Sequence, residues 1–183
     1  MTRRLHGARV AATTARVPDD GAPTGGEPVA RRIATADRVS RDELLAFLRP
    51  RHHAVLLTRR RSGAPQLSPV TCGVDDSGCL VVSTYPDRAK AVNVRRDAQV
   101  SACVMSDDFD GPWVQVDGTA EVIDPPASVE PLVEYYRNIA GEHPDWAEYR
   151  QAMLDQGKSL IRLHIESWGP VATGGFPARL ADG

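Results

Sequence analysis

AVLLTRRRSGAPQLSPVTCGVDDSGCLVVS, from Ala54 to Ser83, decides the fold. Three apolar runs lie in it: Ala54–Thr58, Gln66–Val74 and Cys79–Ser83. The first gap, Arg59–Pro65, carries Ser62-Gly63, and the second is Asp75-Asp76-Ser77-Gly78. Both are turn signals. Parallel strands need crossovers of a dozen residues or more, so connections this short make consecutive antiparallel strands. A doubly wound parallel sheet is excluded on that ground.

Working outward, three further strands are expected: Gln99–Met105, Trp113–Ile123 with a possible break at Gly118, and Ser159–Trp168. In the last, Ile161, Leu163 and Ile165 alternate with Arg162, His164 and Glu166, the period of a half-buried strand. Helices are expected on either side. Ser40 and Glu43 form a capping box ahead of Leu44, Leu45, Phe47 and Leu48, and Pro50 ends that helix. A second helix spans Arg88–Arg96, with Pro86 at its start. A third spans 127–140, and Asp145 caps a fourth containing Trp146, Tyr149, Met153 and Leu154. Six antiparallel strands with peripheral helices read as a mainly β (α+β) small barrel.

The chain of 183 residues suits one domain with a real core. Its net charge of −2 gives no reason to expect a nucleic-acid partner. The charge is uneven: residues 1–38 hold seven Arg and four acids. They are rich in Ala, Arg, Thr, Pro and Gly without hydrophobic period, so a disordered arm is expected there, with the domain over 39–175 and a flexible tail over 176–183. Arg3-Arg4 and the acid-free start resemble a targeting signal, but no apolar segment follows, and a mis-assigned start codon explains the arm equally well. No run approaches a membrane span. Cys72, Cys79 and Cys103 lack any CxxC or Cys/His spacing, so buried free thiols in a reducing cytoplasm are expected, and no metal.

Candidate chemistry concentrates between the third strand and the second helix. Ser83, Thr84, Arg88 and Lys90 surround a helix start, where free N–H groups and the dipole favour an anion. Two cations in a first turn are locally unfavourable unless an anion meets them; a solvated helix start with ordinary surface charges is the alternative. Gln66, Ser68 and Val70 share one strand face, able to hold a flat heterocycle or simply to face solvent. Trp113 could stack on a ring or belong to the core or an interface. His52 and His53 point to opposite faces of their strand. Neither His143 nor His164 sits in a recognisable pattern with an acid and a nucleophile, and no GxSxG, GxGxxG or P-loop occurs. An anion site without a protein nucleophile suits a phosphorylated redox cofactor that carries the chemistry itself.

The segments PQLSPV, STYPDRAKAVNVRRDAQVS, WVQVDGTAEV and EYYRNIAGEHPDWAEYRQAM resemble the deazaflavin-dependent (coenzyme F420) branch of the pyridoxamine 5'-phosphate oxidase-like split-barrel family of actinobacteria. The resemblance covers about residues 40–170. It implies a six-stranded split β-barrel, a homodimer with cofactor at the interface, and hydride transfer between reduced F420 and a small electrophilic substrate. By motif, Ser83, Thr84, Arg88 and Lys90 match the phosphate grip and Asn93 a nearby polar position. Gln66, Ser68 and Val70 match the ring-lining strand, while Trp113, Val114 and Gln115 match positions reaching the cofactor from the interface. Two departures stand out: Pro69 replaces a common polar residue, and Ser167, where the subgroup often has histidine, precedes Trp168-Gly169. FMN in place of F420, or a non-catalytic binder of flavin or haem, are the alternatives.

Overall fold

The structure is a computed structural model that describes residues 33–177 and 179. The elements are β1 (Thr35–Asp37), α1 (Arg41–Leu48), β2 (His53–Arg59), β3 (Pro65–Thr71), β4 (Gly73–Val74), β5 (Leu80–Thr84) and α2 (Ala89–Arg96). Then follow β6 (Gln99–Met105), β7 (Trp113–Ile123), α3 (Val129–Ala140), α4 (Trp146–Asp155), β8 (Ser159–Trp168) and β9 (Val171–Thr173).

All strands in the main order β3-β2-β6-β7-β8-β5-β4 pair antiparallel. The expected strand Gln66–Val74 is two strands, because it turns at Cys72. Its first half pairs with β2 and its second with β5, at opposite ends of the strand order. One bend thus closes the sheet into a split barrel. The bend is pinned locally: the Cys72 N–H donates to the His52 carbonyl, and His52 Nδ1 lies 3.0 Å from the Cys72 carbonyl.

The barrel interior takes every second residue. Ala54 and Leu56 of β2, Val100, Ala102 and Val104 of β6, and Val114 and Val116 of β7 are buried there with Leu80 and Val82. Val81 points the other way, under α3 and α4, with Leu132, Tyr135, Met153 and Leu160. Strand β5 is therefore covered on both faces, which is why Leu80-Val81-Val82 is apolar without alternation. Each such side chain contributes roughly 1.5–3 kcal/mol on burial.

Several expected boundaries shift. Residues 35–37, assigned to the arm, form β1, which pairs with β9 from Thr35↔Thr173 to Asp37↔Val171. Residues 1–32 of the expected arm lie outside the described residues. The second helix starts at Ala89 with Arg88 as its N-cap, and Pro86 sits in the preceding turn. The third starts at Val129 rather than 127. The Ser40–Glu43 capping box and the Asp145 cap form as expected. Strand β7 continues through Gly118, where its pairing with β8 shifts register at a bulge.

Candidate functional site

Strand β5 ends at Thr84, and the chain turns through Tyr85–Arg88 into α2. The turn is braced from behind. Arg95 donates to the Pro86 carbonyl (2.7 Å) and forks onto Asp124 (2.7 and 2.9 Å), which also accepts from Ser159 Oγ (2.6 Å). The Ser159 hydroxyl, with Arg95 adding to it, holds the Asp124 carboxyl below the usual carboxylate range.

On the open side of this turn stand three cations. Arg88 is exposed, Lys90 is half-buried, and Lys158 sits 4.0 Å above the Tyr85 ring. Burial first, then Arg88 and Lys158, push the Lys90 amine below its ordinary value. Among the described residues no carboxylate pairs with any of the three. Such a cluster of like charges could receive an anion. Lys158 was missed by sequence reasoning. It comes to Tyr85 only through the β5–β8 register, Thr84↔Ser159, which joins residues 75 positions apart. Ser83 is half-buried; Thr84 is buried and its hydroxyl donates to the Tyr85 carbonyl (3.4 Å).

A hydrogen-bond chain leads from α2 into the barrel. Asn93 Nδ2 donates to Thr58 Oγ1 (3.0 Å), Thr58 donates to Gln66 Oε1 (3.0 Å), and Gln66 Nε2 donates to Ser68 Oγ (2.8 Å). Asn93 is buried, with its amide held on Thr58. Thr58, fully buried, is the second residue that the sequence did not single out. Its signal was a hydroxyl in the inward series Ala54, Leu56, Thr58. Lys90 and Asn93 are three apart on α2 and share a face, one turn from each other.

The half-buried face of β3 carries Gln66, Ser68 and Val70 from this cationic end toward an apolar one, over about 13 Å. At the far end Val70 lines a cavity of about 420 Å³ with His53, Met105 and Phe109. Met105 and Phe109 also line a neighbouring cavity of about 520 Å³ with Cys103, Trp113 and Gly174. Trp113 is 40 % exposed there. Val114 is 0 % exposed, because alternation along β7 turns its side chain into the core. Gln115 is exposed and donates to Asp117 Oδ1 (2.9 Å). Within one chain the candidate residues thus form two groups. Gln66, Ser68 and Asn93 lie with the cations, and Val70, Trp113 and Gln115 lie toward the opposite end.

The histidine reading also changes. His164 Nδ1 lies 3.3 Å from Cys79 Sγ, and its Nε2 lies 3.5 Å from Glu121 Oε1. Strand pairing assembles what the linear spacing hid.

Solved structures of low sequence identity share the fold. A conserved hypothetical protein of Mycobacterium tuberculosis superposes with a TM-score of 0.63 at 21% identity, covering 80% of this chain and 89% of that one. A protein described as an F420 reductase gives 0.52 at 17% identity, covering 67% and 93%. An FAD and haem binding protein of Mycobacterium smegmatis gives 0.57 at 17% identity, covering 80% and 76%. The family model described as pyridoxamine 5'-phosphate oxidase matches residues 40–172. With the split barrel observed and that match running from the N-cap of α1 into β9, the chain belongs to the pyridoxamine 5'-phosphate oxidase family.

Proposed function

We propose that this protein is an oxidoreductase that binds coenzyme F420 and passes a hydride to a small electrophilic substrate. One observation carries the reading: three cations without carboxylate partners among the described residues stand at one end of a polar strand face whose other end opens on apolar cavities. That layout fits an elongated cofactor with a phosphate at one end and a flat ring further along. Bound deazaflavin would supply the hydride chemistry. The protein's own residues do the rest. Arg88, Lys90 and Lys158 hold the phosphate, while Thr58 and Asn93 fix the Gln66 amide that borders the ring. Val70, Met105 and Phe109 exclude water from the ring's far edge.

The separation of Trp113 and Gln115 from the cations supports a site completed by a second copy of the chain, whose Trp113 end would cover the ring. Exposed Leu67, Phe109 and Trp113 supply apolar surface for such a homodimer. Three free thiols accord with a reducing cytoplasm. Among the described residues no helix is long and apolar enough to cross a membrane.

FMN shares the phosphate and the tricyclic ring and is the second reading; the neighbour described as binding FAD and haem keeps a non-catalytic binder in view. Fluorescence titration with F420 and with FMN separates them. F420 binding at micromolar concentration, followed by turnover of a quinone or nitro substrate with reduced F420, supports the proposal. Binding of FMN alone, or of neither, overturns it.

A further inference from the structure

At the opposite end of β5 from the cations, the thiol of Cys79, the residue just before β5, stands in a row with the His164 imidazole of β8 and the Glu121 carboxylate of β7. The sulfur is 3.3 Å from Nδ1, and Nε2 is 3.5 Å from the carboxylate. This order fixes the useful tautomer: a proton on Nε2 directed at Glu121 leaves Nδ1 free to take the thiol proton. Ser77 Oγ lies 3.4 Å from the sulfur and donates its proton to Asp75 Oδ1 (2.6 Å). The surrounding charges nearly balance. Asp75 is paired with Arg162 (2.9 Å), Arg162 also reaches toward Glu121 (3.7 Å), and the Arg41 guanidinium on α1 lies beside Gly78. Cys79 is 5% exposed but flanked by exposed Ser77 and His164, so approach is open to small reagents.

The other two thiols lack this arrangement. Burial pushes the Cys72 thiol up to about 12, and burial also raises Cys103. His52, next to Cys72, faces its carbonyl and not its sulfur.

We propose that Cys79 is a peroxide-reactive thiol with His164 as its base and Glu121 orienting the ring. Hydrogen peroxide is small enough to suit a thiol this buried. The sulfur attacks one peroxide oxygen, the O–O bond breaks, sulfur loses two electrons to the peroxide, and the second oxygen leaves as water with the proton that His164 accepted. The products are the sulfenic acid of Cys79 and one water.

The test exposes the folded, full-length protein to hydrogen peroxide without cofactor, quenches it, unfolds it and alkylates the surviving thiols for peptide mass spectrometry. Cys79 is expected to lose alkylatable thiol at least about tenfold faster than Cys72 or Cys103. His164→Gln is expected to slow Cys79 about tenfold and leave Cys103 unchanged. Equal loss at Cys103 and Cys79, or an unchanged Cys79 rate in His164→Gln, overturns the proposal. If His164→Gln unfolds, seen as a rise at Cys72, the exposed Glu121→Gln variant decides: slower loss at Cys79 alone supports the row, and no change refutes it.

Discussion

If Arg88, Lys90 and Lys158 grip one phosphate, removing the Lys158 amine removes one charge-assisted hydrogen bond. Lys158→Ala is then expected to weaken F420 affinity by about 1.5–3 kcal/mol, roughly ten- to hundredfold, with little change in melting temperature. A titration of both proteins checks it; unchanged affinity places Lys158 outside the grip. The same cluster sets a pH dependence. In the free protein the Lys90 amine lies below 10.5 because of burial, Arg88 and Lys158. A bound phosphate raises it again. Affinity is therefore full below the lowered value and declines as pH rises through it. In Lys158→Ala one of the depressing charges is gone, so the decline is expected to move to higher pH. An affinity profile across the alkaline range, recorded for both proteins, reads this directly.

At the level of elements, the β7–β8 bulge rests on Gly118. A Cβ there would overlap the His164 carbonyl oxygen, and both contacting groups are backbone, so no rotamer change relieves the clash. Gly118→Ala is expected to destabilise the fold by about 1–3 kcal/mol or more, lowering the melting temperature by several degrees. Thermal unfolding followed by circular dichroism measures it. Strands β6, β7 and β8 were legible with their bounds because alternation is a local property written into consecutive residues. The break at Cys72 was not: Gln66–Val74 reads as one apolar run, and only the positions of β2 and β5 decide that its halves take different partners. The candidate anion-site residues Ser83, Thr84, Arg88 and Lys90 could be named from the sequence because they lie within eight consecutive residues. Lys158, Thr58 and the Cys79–His164 pair depend on register between distant segments, which no local pattern carries.

For the whole molecule, the split arrangement of the candidate site makes assembly state the decisive property. A homodimer is expected by sedimentation at micromolar concentration. Trp113→Glu together with Phe109→Glu, which place charge on exposed apolar positions, should shift it to monomer and abolish F420 binding while leaving the isolated barrel folded. A wild-type monomer that binds F420 fully would contradict a shared site.

The pairing of β1 with β9 has a consequence in time. During synthesis Asp37 is made 134 residues before its partner Val171. At bacterial-to-eukaryotic elongation rates of about 5–20 residues per second, the first strand waits roughly 7–27 s for its mate. Over that interval its backbone donors and acceptors are open to other edges. Strands β2 to β7 are made meanwhile, but β8, which joins β7 to β5, ends at Trp168 just before Val171, so the middle of the sheet and the β1–β9 clasp both wait for the end of synthesis.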